Sequence, residues 1–305
     1  MKIIRTVLAD LSPDPLFSHC HEHIWIGKQS LGEQCPVSAI DDEAASLAEL
    51  KSFYEAGGRL LADAQPTGAG GSPSKLAELS RASGVSIIAS TGFHKLCFYR
   101  TDSPIHILTA EELTASFCRD IRDKHCGMIK VAADRNWLEG RYELLHHAAA
   151  VAAGSTGTPV LCHVEQGADP IAILDFYTKK GVAADSIILC HCDRAVSKFG
   201  RHLAAVKEGT YLEYDTIARP KYHSDEVEIG LISRLIGAGY ANRLLLGLDT
   251  TKERLISYSG ENAPGLVYLR STFLPKMKKA GISDEAVRLI TEVNPTEAFA
   301  FEPKA

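Results

Sequence analysis

The chain has 305 residues, 45% of them hydrophobic and 23% charged, with a formal net charge of −5 and a pI near 6.2. That balance is ordinary for a globular protein; it gives no electrostatic reason to expect nucleic acid binding, and no apolar run is long enough to span a bilayer. The start, Met1-Lys2-Ile3-Ile4-Arg5, reaches Asp10 after too short an apolar stretch for a signal peptide. The eight cysteines do not read as a disulfide framework in a chain of this length, so cytoplasmic residence is expected.

In chain order, residues 1–10 carry a short strand or plug at 2–8, ahead of the main fold. An apolar β-type run follows at 17–23. Helical and strand patterns then alternate: helix 42–56, strand 59–64, helix 74–83, strand 86–93, helix 111–125, strand 127–132, helix 139–153 and strand 159–165. The same rhythm continues with helix 170–180, strand 187–193, helix 196–208, strand 211–217, helix 225–239 and strand 244–250. Residues 262–301 read as two helices broken around Gly281, with Asp284 and Glu285 suited to the first turn of the second. Eight βα units with near-continuous apolar strands predict an α/β fold, a parallel (β/α)8 TIM barrel. A doubly wound sheet is the alternative, disfavoured because no Gly-rich fingerprint follows the first strand. No linker or low-complexity tract marks a boundary, so residues 1–305 are expected to form a single domain, with the 262–305 segment as C-terminal helices.

Barrel active sites lie at the C-terminal ends of the strands, so the residues ending each strand are the candidates. Strand 1 ends in His21-Glu22-His23, and two imidazoles at i and i+2 of a strand share a face. Strand 4 offers Lys130, strand 5 His163, strand 6 His191 and strand 8 Asp249. Singly, each reads as a packed core residue or an ion-paired lysine. Together they point to a metal site. A lysine made neutral by burial and nearby metal can add carbon dioxide, and the resulting carbamate could bridge two ions about 3.5–4 Å apart.

This set resembles the phosphotriesterase branch of the amidohydrolase superfamily over almost the whole chain, including Asn294-Pro295 before the last helix. The resemblance implies a binuclear centre of two divalent ions, usually zinc. His21, His23 and Asp249 would hold the more buried ion and His163 and His191 the more exposed one, with carboxylated Lys130 and a hydroxide bridging both. His19-Cys20-His21 is a second His-x-His; the family's His-Glu-His pattern favours His21 and His23. Cys20, Cys162, Cys190 and Cys192 neighbour inward-facing histidines, so strand alternation predicts that they face the helices.

The reaction class implied is hydrolysis, with the bridging hydroxide as nucleophile and Asp249 as the catalytic group that moves the proton. Lactones, carboxylic esters and phosphate triesters all remain open. Loop 7 carries Arg219 and Lys221, and loop 8 carries Lys252, Arg254 and Tyr258. Barrels often bind phosphate there, and the resemblance extends to the subgroup that opens phosphorylated sugar lactones. Lys221, Tyr258 and either Arg254 or Lys252 would then grip the phosphate, although such residues are more often solvated surface charges. His94, Lys95 and Tyr99 after strand 3 could meet the sugar or only pack their loop, and Asp63 could orient a ligand histidine. The expected partner is a small-molecule substrate, with neither nucleic acid nor membrane; a homodimer is the assembly considered, and the sequence does not fix the oligomeric state. A promiscuous carboxylesterase or acyl-lactone lactonase is the alternative within hydrolases, and a non-catalytic metal- or sugar-binding protein the alternative outside them.

Overall fold

The computed structural model describes residues 1–304. Its strands are β1 (Ile3–Arg5), β2 (Asp10–Leu11), β3 (Ser18–Glu22), β4 (Leu60–Asp63), β5 (Ser86–Gly92), β6 (Cys126–Ala133), β7 (Val160–Val164), β8 (Ile187–Cys190), β9 (Tyr211–Tyr214), β10 (Leu244–Leu246) and β11 (Ala300–Phe301). Strands β3 to β10 pair in parallel, each with its neighbour in sequence. The ring closes where the Asp249 amide donates to the His21 carbonyl at 2.9 Å. Gly247 permits that closure, because a Cβ there would come within 2.9 Å of the His21 backbone nitrogen. This is the (β/α)8 barrel expected from the alternation of apolar runs.

The barrel helices begin where the local chemistry directs. Asp42 caps α1 (Glu43–Glu55), Ser72 and Pro73 start α2 (Pro73–Ser83), and a Thr109–Glu112 capping box opens α3 (Ala110–Asp123). Then follow α4 (Arg141–Thr156), α5 (Pro170–Lys179) capped by Asp169, α6 (Phe199–Lys207) and α7 (Asp225–Gly237). Near the C-terminus, the helical stretch ending at Lys279 stops before Gly281 (φ +91°), and Ser283 caps a new one with Asp284 and Glu285 in its first turn. No helix of the described residues is long and apolar enough to cross a membrane.

Two apolar layers hold the fold. The outer one packs the helices onto the strands; the inner one fills the barrel with residues such as Leu60, Ile88, Met128, Leu161 and Leu245. β1 pairs with β2 and β11 in a small antiparallel sheet. It sends Ile4 into the inner layer beside Ala298 and Phe299, so the 2–8 segment is a plug in one mouth of the barrel.

The cysteines divide differently from the alternation rule. Cys162 and Cys192 belong to the helix-facing layer, but Cys20 and Cys190 lie in the inner layer, which corrects the expectation that all four face outward. The cause is local. β3 shifts register between His19 and Glu22, and His191, just past β8, adopts φ +61°. A bulge or a left-handed residue re-aims the next side chain, so Cys20 and His21, and likewise Cys190 and His191, share the barrel's inner side.

Candidate metal centre and substrate cleft

Six predicted side chains meet at one rim. Lys130, fully buried on β6, directs its Nζ to His21 Nε2 at 3.2 Å. Asp249 Oδ1 lies 3.8 Å from His21 Nε2 and 3.4 Å from His23 Nε2. His163 Nδ1 and His191 Nε2 face each other at 2.7 Å, and the His21 and His191 ring centroids are 4.9 Å apart. His19 takes no part: its Nδ1 binds Glu22 at 2.7 Å and its ring packs edge-on against Phe53 of α1. Asp249 and His191 both have positive φ, +46° and +61°, so strained backbone aims two members of the set.

Buried carboxyl groups stand behind two of the rings. His21 Nδ1 bonds Glu213 Oε2 at 2.7 Å, and His191 Nδ1 bonds Asp215 Oδ1 at 2.6 Å. Such partners fix which ring nitrogen is free for a ligand. Burial first, and the Lys130 charge second, hold His21 well below its ordinary range; burial and Arg194 do the same to His191, and burial brings His163 to about 4. Burial pushes Glu213 up to about 8 and, with Asp193 and Glu213 nearby, drives Asp215 well above the usual carboxylate range. Burial would also raise Asp249, but Arg219, His23 and the neighbouring histidines outweigh it and hold it well below 3.8.

The donor set fits divalent cations. Unprotonated imidazoles converge on a buried amine and a carboxylate, and groups that could share one ion recur in His21, His23 and Asp249 and again in His191, Asp215 and Asp249. Imidazole and carboxylate together suit first-row metals. Asp63 acts elsewhere than expected: its Oδ2 accepts from the Ile24 and Trp25 amides at 2.8 and 3.4 Å and its Oδ1 from Gln65, so it orients the backbone after His23.

A cleft of about 770 Å³ opens above these groups, with His94, Lys95, Arg194, Arg219, Lys221 and Arg254 in its wall. Arg194 and Arg219 place Nη2 at 2.9 and 3.1 Å from Asp249 Oδ2. His94 stacks on Phe98 and its Nδ1 accepts from the Lys95 amide; Tyr99 bonds the His94 amide and packs its loop. Lys95 pairs with Glu165 at 2.6 Å, and Glu165 also reaches His163 at 3.3 Å. Arg254 gives its guanidinium to the carbonyls of Ala218, Ile217 and Leu248, tying loop 7 to loop 8. Tyr258 lies outside the cleft lining; its hydroxyl binds Ser46 and the backbone of Asp42. Lys252 sits over the Tyr258 ring and is likewise outside the lining.

Glu22, Arg194, Glu213 and Asp215 escaped the sequence reading. Glu22 accepts from the Leu248 and Thr250 amides and so clasps β3 to the end of β10. Carboxylates at alternate positions of the apolar run Tyr211-Leu212-Glu213-Tyr214-Asp215 were the available signal.

Residues 5–299 match the model of the phosphotriesterase family. The chain belongs to that family. Membership makes it a metal-dependent hydrolase. Among phosphotriesterase-family relatives, a phospho-furanose lactonase of Mycoplasmopsis synoviae is 28% identical, over 99% of this chain and 93% of that protein. The crystal structure of an amidohydrolase from Mycoplasma synoviae superposes with a TM-score of 0.91 at 26% identity, covering 100% of this chain and 93% of that one. A lactonase from Listeria monocytogenes, 23% identical, shares the fold with a TM-score of 0.89 over 98% and 99% of the two chains.

Proposed function

We propose that this hydrolase opens a phosphorylated sugar lactone at a centre of two divalent cations, Zn²⁺ being the fitting choice. His21, His23, Lys130 in carboxylated form, His163, His191 and Asp249 would hold them. Such a pair supplies Lewis acidity toward an ester carbonyl and activation of water. The rest is the work of the chain's own groups. Asp249, kept ionised by Arg194 and Arg219, takes a proton at Oδ1 and returns it to the leaving oxygen. Glu213 and Asp215 hold the imidazoles in one tautomer. The outer edge of His94, whose Nδ1 is already used, faces a sugar hydroxyl.

The observation that carries the phosphate half of this reading is the cationic wall. Arg194, Arg219 and Lys221 line the same cleft as the histidines, and Lys221 is exposed with its ammonium over the Tyr222 ring. The phospho-furanose lactonase relative supports it. Lys221 and Arg219 are assigned to the phosphate, and Arg254 to shaping the loops. A charge-assisted hydrogen bond contributes on the order of 1.5–3 kcal/mol, so Lys221→Ala should lower kcat/KM for a phosphorylated lactone by roughly ten- to a hundredfold. Turnover of the unphosphorylated lactone should hardly change, whereas Arg254→Ala should slow both. If Lys221→Ala affects the two substrates alike, the phosphate assignment is wrong. The apolar side of the cleft, Ile26, Val37 and Phe98, would then favour a lactone or ester with a hydrocarbon chain.

A further inference from the structure

We propose that Asp193, His223 and Glu228 form a separate site for a first-row divalent cation, Zn²⁺ or Mn²⁺. Asp193 comes from the loop after β8, His223 from the loop after β9 and Glu228 from the first turn of α7. Their ligand atoms all lie within 4.8 Å of one another. None of the three lines the substrate cleft, and none belongs to the six-residue cluster.

Glu228 is the decisive group. It is fully buried, no backbone or hydroxyl donor reaches either carboxyl oxygen, and its polar neighbours are the Asp193 carboxyl, with which it shares a proton in the absence of a cation, and the His223 ring. His223 Nε2 stands 3.2 Å from Oε2, without the alignment of a hydrogen bond. A buried carboxylate is ordinarily bonded or paired, since desolvation is otherwise uncompensated. Its oxygens face the other two ligands, so a cation among them would satisfy both.

The surroundings are those of a ligand histidine. His223 Nδ1 approaches the Ser224 carbonyl at 3.2 Å, the backbone contact that fixes a metal-binding ring with Nε2 as donor atom. The Thr216 amide and hydroxyl both donate to Asp193 Oδ2 at 2.6 Å and the Arg194 amide to Oδ1 at 3.1 Å, which steers the Asp193 carboxylate; Thr216 Oγ1 also stands 3.1 Å from His223 Nε2, and a cation would take the place of the proton held there. One imidazole with two carboxylates suits zinc or manganese better than the all-oxygen preference of calcium or magnesium. A route from solvent exists: His223 borders a surface depression lined by Asp225, Glu226 and Glu261 together with Arg219 and Lys276. A cation here would join the loops that carry Arg194 and Arg219 to α7, and so brace the wall of the cleft from behind.

The test uses the full chain, loaded with excess Zn²⁺ at neutral pH and freed of unbound metal on a desalting column. Elemental analysis should find one ion fewer per chain in Glu228→Gln and in His223→Ala than in the wild type, whatever number the wild type holds. A crystal of the wild type soaked in Zn²⁺ should show an anomalous peak between the three side chains. Equal ion counts in all three proteins, or a wild-type map with no peak there, would mean that the cluster holds only a proton and would overturn the site. If either variant fails to fold, as far-UV circular dichroism would reveal, the wild-type map decides alone.

Discussion

At the scale of single residues, the grip of Glu213 on His21 determines how the centre is built. The 2.7 Å bond from Nδ1 leaves Nε2 toward Lys130 and Asp249. Glu213→Gln keeps the shape but removes the ionisable carboxyl, which gives up its proton as a cation binds His21 and so makes the imidazole a stronger donor. Loss of such a partner lowers metal affinity by about 10–100-fold, and competition with a chromophoric chelator should show a drop in that range with the fold intact. Unchanged affinity would leave Glu213 a filler of the barrel. The residues facing the cleft were only partly legible in the sequence. His21, His23, Lys130, His163, His191 and Asp249 could be read because strands fix direction and the ends of parallel strands share a rim. Tyr258 and Arg254 follow no such rule, since a loop side chain points where tertiary partners take it. Here these are Ser46 and Asp42 for the tyrosine and three carbonyls for the arginine.

At the scale of elements, the end of β5 illustrates how closely the strands constrain the centre. Gly92 has φ +97°, and a Cβ there would lie 2.1 Å from the Lys130 carbonyl oxygen, which accepts from the next amide, Phe93, at 2.8 Å. Gly92→Ala must therefore strain its backbone, at about 1–3 kcal/mol, and push β6 away where it carries Lys130. Chemical denaturation should show a loss of that size, and the purified variant should bind less metal than the wild type. A variant as stable and as well loaded as the wild type would show that the strands can part without cost. The runs of apolar residues disclosed the barrel strands, but the sequence did not disclose where alternation breaks. The register shift in β3 and the left-handed His191 answer to barrel closure, a long-range condition with no local signature, so Cys20 and Cys190 turned inward against the expectation.

At the scale of the whole molecule, two buried histidines outside the cleft lining, His202 and His146, connect stability to pH. His202 bonds the Tyr214 hydroxyl at 2.7 Å, and His146 bonds the Tyr177 hydroxyl at 2.7 Å and the Ala132 carbonyl at 3.1 Å. Burial lowers them to about 4 and about 3 respectively. The unfolded chain binds protons at both near the ordinary value of 6.5, so below that pH it is favoured over the folded one. Their contribution to stability is present in full above pH 6.5. It is lost as pH falls, down to about 4 for His202 and about 3 for His146, and is level below. Each pH unit in that window is worth up to about 1.4 kcal/mol per histidine. Metal-free protein should be used, because ligand histidines release cations over the same range. In urea titrations at pH 7 and pH 5, His202→Gln should lose about 2 kcal/mol less than the wild type between the two conditions. The buried carboxyl groups, some raised like Glu213 and some lowered like Asp249, are common to both proteins and cancel in the comparison. Parallel losses in the two proteins would show that His202 takes its proton as readily in the fold as in the unfolded chain, and the acid sensitivity would then have to be sought in His146 and in carboxylates held low, such as Asp249.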